Sequence, residues 1–97
     1  MSLQLWLPEG KHEEYEETVS NGQKTIPFWP WKYFHLEIYN EGPNQVKVAI
    51  NNAPSSKAIT LNAGEGKTFN AEHPKYSQIT LIAKQGETAT VKIVGTR

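Results

Sequence analysis

The residues best suited to chemistry fall into a few groups. His12, His35 and His73 could offer three imidazoles to a zinc ion, and their separation means that only folding would bring them together. None sits at ligand spacing within a motif, so they read as scattered surface histidines, and neither a metal site nor a cofactor is expected. Lys11 to Glu17, KHEEYEE, gathers His12 with Glu13, Glu14, Glu16 and Glu17. Carboxylates bind hard cations, but a calcium loop needs oxygens at fixed spacing around a glycine turn, and that pattern is absent. The segment reads as a solvated loop or an edge strand with Tyr15, Glu17 and Val19 on one face. A helix here would be short and would lack an apolar face. Ala63 to Thr68, AGEGKT, has the ending of a phosphate-binding loop. The glycine required five positions before Gly66 is replaced by Leu61, and strand-like residues follow where a helix is needed. It reads as a glycine-rich turn. Ser2, Ser20, Ser55, Ser56 and Ser77 lie in or beside turns, none in a G-x-S-x-G context, and the chain has neither Cys nor Asp. No carboxylate pair is marked by its setting, so no enzyme is expected.

The aromatic residues stand out more. Half of them lie between Phe28 and Phe34, in and after the segment Ile26 to Trp31, IPFWPW. Pro27 and Pro30 fix their own φ, bias Ile26 and Trp29 towards extended backbone and exclude a helix or a central strand. One reading places these rings in the core. A second makes them a subunit interface, where Trp, Tyr and Phe are enriched. A third is a platform for carbohydrate, on whose sugar faces flat rings stack. A fourth, stacking on single-stranded nucleic acid, needs a basic groove that Lys32 alone does not make. The candidate binding or interface residues are Trp6, Phe28, Trp29, Trp31 and Tyr33.

At 97 residues the chain is expected to form one domain, burying about 60–65% of its unfolded surface around a single core. Ten basic residues balance ten acidic ones, which gives no field to gather nucleic acid and opposes self-association little. Arg97 is the sole arginine, so the bidentate contacts of specific base readout are missing. The absence of cysteine rules out a disulfide framework and tilts the expectation towards a cytoplasmic or particle-associated protein. No apolar run reaches the ~20 residues of a membrane span, and Met1 to Gly10 does not read as a signal peptide.

The elements that must position these groups are strands. Phe34, Leu36 and Ile38 alternate with polar neighbours, as do Val46, Val48 and Ile50. Asn40 to Asn44 lies between them and predicts a tight hairpin turn. Ser20-Asn21-Gly22 and Lys84 to Glu87 predict two further hairpins. Lys57 to Leu61, Lys67 to Ala71, Gln78 to Ala83 and Thr88 to Val94 are the remaining strands. Leu3, Leu5 and Leu7 alternate with Trp6 in a short terminal strand that must dock on its own sheet or a neighbour's. The pattern predicts an all-β antiparallel sandwich, jelly-roll-like or Ig-like, of about seven or eight short strands. Its core would be Phe34, Leu36, Ile38, Val46, Val48, Ile50, Ile59, Leu61, Phe69, Ile79, Leu81, Ala89, Val91 and Ile93. Gly42, Gly64 and Gly86 sit in connections where at least one should take positive φ.

From Phe34 onward the chain resembles small β-sandwich modules of phage and virus structural proteins. The residues that carry the likeness are Leu36 to Asn44 with Val46 and Val48, then Leu61 to Glu65, Ile79 to Ala83 and Gly86 to Val91. The resemblance implies a non-enzymatic module that self-assembles or binds a host surface, and it carries over no site residues. The function expected from sequence is therefore a structural or interaction module forming a homo-oligomer through its N-terminal third. The alternative is a carbohydrate-binding module using exposed Trp and Tyr. Partners would be copies of itself, with a glycan or host-surface ligand as a second class, and no nucleic acid.

Overall fold

The computed structural model describes residues 10–97. The expected strand Leu3 to Leu7, with Trp6, lies outside the described residues. Six strands follow: β1 (His12–Pro27), β2 (His35–Pro43), β3 (Val46–Ile50), β4 (Ile59–Leu61), β5 (Gly66–Asn70) and β6 (Gln78–Thr96). A short 3-10 turn, Ser55–Lys57, precedes β4. The fold is all-β and antiparallel, as expected. Its strands are joined by hydrogen bonds into one curled sheet, in place of a sandwich of separate sheets.

The sheet is built on two long strands. β1 runs antiparallel to β6 from His12↔Thr96 to Ser20↔Thr88, shifts register, and continues from Gly22↔Ala83 to Pro27↔Gln78. On the opposite edge of β6, its C-terminal half pairs with β2 and its N-terminal half with β3. β5 extends the sheet beyond β2, and β4 extends it beyond β3.

Both long strands bend where glycine relieves the backbone. Asn21 takes φ 50° at the register shift, and Gly86 takes φ 83°. The two bends are tied together, because the Gly86 N–H donates to Oδ1 of Asn21 at 2.5 Å. Two expected hairpins are thereby corrected. Asn21-Gly22 and Lys84–Glu87 are corners inside continuous strands, not turns between adjacent ones. A third correction concerns β2 and β3, which do not pair with each other. β2 continues through Asn40 to Pro43 with a bulge between Asn40 and Gly42, and both strands lie against β6. Gly42 and Gly64 also have positive φ, at 90° and 88°.

The curl closes on one apolar core. Alternation along β6 turns Ile79, Leu81, Ala83, Ala89, Val91 and Ile93 inward, where they meet Leu36, Ile38, Val46, Val48 and Leu61. Each large aliphatic side chain fully buried here contributes about 1.5–3 kcal/mol relative to exposure. Ile50, Ile59 and Phe69 pack against this cluster from partly buried positions. Phe34 departs from expectation. It precedes β2 and is only half-buried, whereas its neighbour Tyr33 is fully buried in the core. Val19, Ile26, Tyr76 and Ala83 also belong to the core and were not foreseen, and Phe28 joins them, in line with the core reading of the aromatic segment.

Candidate functional site

At one end of the curled sheet the interior changes from aliphatic to aromatic and polar. Gly95 and Leu36 are paired on the inner face, and Tyr33 lies over Gly95. Its ring packs edge-on against Phe28 with centroids 4.9 Å apart, and Phe28 packs against Tyr15 at 5.3 Å. Alternation on β1 puts Glu13, Tyr15 and Glu17 on this same side and Glu14 and Glu16 on the other. The carboxylates of KHEEYEE therefore do not converge.

A chain of hydrogen bonds crosses this end. Arg97 Nε donates to Glu13 Oε1 at 2.7 Å, Tyr33 donates its hydroxyl to the same oxygen at 3.4 Å, and the Tyr15 and Tyr33 hydroxyls meet at 2.6 Å. The Arg97 hydrogen bond holds the Glu13 carboxyl below the usual carboxylate range. Burial, reinforced by the hydrogen bond with Tyr15, raises Tyr33 far above the ordinary phenol value, so it stays protonated and acts as a donor. The Arg97 guanidinium also lies 3.4 Å from the centroid of the Trp31 ring, a cation–π contact that fixes the indole.

Trp31 in turn lines an open cleft of about 300 Å³ with Pro27, Trp29, Pro30, Lys32, Ser77 and Gln78. Trp29 is 86% exposed and Trp31 41%. The backbone here is not extended as expected: Phe28 to Trp31 form a tight turn, closed by the Trp31 N–H donating to the Phe28 carbonyl at 2.9 Å, and both indoles lie on its outer side. Ser77 and Gln78 are held from behind. The Ser77 N–H and hydroxyl donate to Asn51 Oδ1, and Gln78 Nε2 donates to the Asn51 carbonyl and to Asn52 Oδ1.

Of the candidate residues, then, Trp29 and Trp31 come together on the cleft. Phe28 and Tyr33 support it from the core, and Trp6 lies outside the described residues. Sequence reasoning missed Arg97, Glu13, Tyr15, Ser77 and Gln78. The alternation of Glu13, Tyr15 and Glu17 was a signal for their shared face, but nothing local linked Glu13 to a residue at the chain's far end.

The histidines do not form a site. His12 and His35 flank Thr96 across β6, and His12 Nδ1 lies 2.9 Å from the Thr96 hydroxyl. His35 Nε2 donates to Glu37 Oε1 at 2.9 Å, Thr68 donates to the other Glu37 oxygen, and His35 Nδ1 faces the Asn70 amide. These groups lie on the face of β2 opposite Leu36 and Ile38, and their partners satisfy them. Exposed His73 is in the loop before β6. Among the described residues, no group of three or more His, Cys, Asp and Glu could hold a metal ion. Among the same residues, no helix is long and apolar enough to cross a membrane.

No family model matches the chain, and no curated protein matches it by sequence. Solved structures do match. A de novo designed double-stranded β-helix aligns over 84% of this chain and 95% of its own, at TM-score 0.56 and 18% identity. The polyketide cyclase RemF from Streptomyces resistomycificus aligns over 91% of this chain and 56% of its own, at TM-score 0.57 and 16% identity. A cupin-2 domain containing protein from Shewanella frigidimarina aligns over 94% and 76%, at TM-score 0.53 and 15% identity. The fold is shared with cupin-type proteins. The viral likeness has a counterpart in the Tobacco streak virus coat protein, at TM-score 0.43 and 12% identity, too low to carry an argument.

These neighbours overturn two expectations. The expectation of a non-enzymatic, self-assembling structural module does not stand, because the fold is shared with a polyketide cyclase and a cupin-2 domain containing protein. The exclusion of enzymatic activity falls with it, since a cyclase is built on the same fold. The exclusion of an enzyme rested on the absence of local motifs, and a local motif says nothing of groups that folding brings together. Here, the interior of the curled sheet is filled by aliphatic side chains. The aromatic end carries an open cleft.

Proposed function

We propose that this domain binds a small organic molecule with a flat apolar face, in the cleft lined by Trp29 and Trp31. We read the curled sheet as a jelly-roll-like scaffold whose aliphatic filling moves the binding position from the interior to this end. The observation that carries the reading is the exposure of Trp29, 86%, beside a cleft of about 300 Å³. A large ring left in water at the edge of a concavity is a surface suited to stacking. The volume is at the lower limit of ligand sites, so the occupant is one to three fused rings. A planar polyketide-type ring system fits that description, which the polyketide cyclase among the fold neighbours supports. About 15 heavy atoms at roughly 0.3 kcal/mol each give a dissociation constant of about 0.1–1 mM.

The test is a titration of the labelled chain with planar aromatic fragments, followed by proton–nitrogen NMR. The expected result is a saturable shift of the Trp29 and Trp31 indole N–H signals and the Gln78 amide, lost in Trp29→Ala. Because Trp29 is exposed, that substitution leaves stability within about 0.5 kcal/mol. Saturable shifts confined to other residues, or none at millimolar fragment, reject the proposal.

A further inference from the structure

The chemistry of the cleft goes further and names the class of ligand, resting on the binding reading above. Among the described residues that line it, Lys32 is the only ionisable one. Among the described residues Lys32 has no carboxylate within ion-pair distance. The nearby guanidinium of Arg97 is already paired, 2.7 Å from Glu13, and serves to hold Trp31. The hydrogen-bond donors of Ser77 and Gln78 are committed to Asn51 and Asn52. What the described residues leave for a ligand is one uncompensated ammonium and the indole N–H groups, with no carboxylate among the described lining residues to oppose an anion. The chain's formal net charge is zero, so any preference for anions must arise locally.

We infer that the cleft takes a planar aromatic anion, a carboxylate or phenolate whose ring lies against Trp29 and whose charged oxygen pairs with Lys32. A neutral ring of the same shape keeps the stacking and loses the charge contact.

The experiment compares 2-naphthoate with its neutral isostere 2-naphthamide on the intact chain, wild type and Lys32→Gln, by the NMR titration above at low salt. Naphthoate should bind about two- to fivefold more tightly than the amide, the range that an exposed charge pair contributes. Lys32→Gln should erase the difference while leaving the affinity for the amide within about twofold. Raising salt to near physiological strength should shrink the preference in the wild type. Equal affinities in the wild type, or a preference that survives Lys32→Gln, overturn the anion assignment and leave the cleft standing. If neither probe shifts Trp29 or Trp31, the binding reading itself fails and this inference with it.

Discussion

Tyr33 occupies the space that a side chain at position 95 would need. A Cβ on Gly95 would lie 2.5 Å from Tyr33 Cδ2 and 2.6 Å from Cε2, inside any real contact distance. The ring cannot step aside, since it is fully buried against Phe28 and its backbone is tied to Lys75 and Tyr76. Gly95→Ala should therefore destabilise by about 1–3 kcal/mol, read as a lower urea midpoint. In a Tyr33→Leu background the same substitution should cost less, because the two positions share one space. Equal cost in both backgrounds would show that the contact is not what makes Gly95 necessary.

The Tyr33 phenol makes stability depend on alkaline pH. Burial comes first among the causes that raise it, followed by the Tyr15 hydrogen bond and the charge of Glu13. The folded state keeps this proton above pH 10 while the unfolded chain loses it, so the contribution is complete below pH 10 and declines as pH rises further. Tyr76 is raised by burial in the same sense. The slope should approach about 1.4 kcal/mol per pH unit for each proton kept only by the fold. Urea unfolding at pH 8 and pH 11 measures it. Tyr33→Phe should cost about 0.5–1.5 kcal/mol at pH 8 and flatten the decline. An unchanged slope in that variant would assign the effect elsewhere.

The strands were legible in the sequence, but their partners were not. Period-two alternation marks Leu36 and Ile38, or Val91 and Ile93, as one face of a strand, because that face is buried whichever strand lies alongside. It says nothing of which strand that is. Asn21-Gly22 has the chemistry of a hairpin turn, and a bend inside a long strand needs the same left-handed backbone, so the two cannot be told apart locally. The aromatic end was half legible. The prolines of IPFWPW mark a break between strands, but they predict extended backbone at Trp29 where the chain makes a turn closed by the Trp31 N–H and the Phe28 carbonyl. The inward turn of Tyr33, adjacent to half-buried Phe34, depends on the bridge between Tyr33 and Tyr76, a pairing no local pattern encodes.

The positive-φ glycines allow backbone strain to be separated from crowding. A Cβ at Gly86 meets nothing within 4 Å, so alanine there suffers only from φ 83°. A Cβ at Gly42 has φ 90° and also comes within 3.0 Å of the Ala63 Cβ. Gly86→Ala should cost about 1 kcal/mol and Gly42→Ala about 2 kcal/mol or more by chemical denaturation. A reversed order would mean that the loop holding Ala63 yields more readily than the bend at Gly86.

Asn40 has the most demanding position of any polar side chain described. It is fully buried, accepts the Gly42 N–H at 2.8 Å, and donates to the carbonyls of Asn44 and Leu61, each at 2.9 Å. Its own backbone bonds Glu65 and Gly64. One amide thus joins the bulge of β2 to β4, across the two halves of the curled sheet. Asn40→Ala would strand one donor and two acceptors, at a cost of about 2–4 kcal/mol. Asn40→Asp keeps the size and the acceptor but aims a carboxylate at two carbonyl oxygens. The folded state would then favour the protonated acid and raise its pKa, so the stability it retains is present at low pH and lost as pH rises through that value. Relative to the parent, the Asp variant should be least stable at pH 7 and recover towards pH 4, measured by urea midpoints at both. An Asp variant as stable as the parent at pH 7 would show that the amide hydrogens of Asn40 do not hold the two halves together.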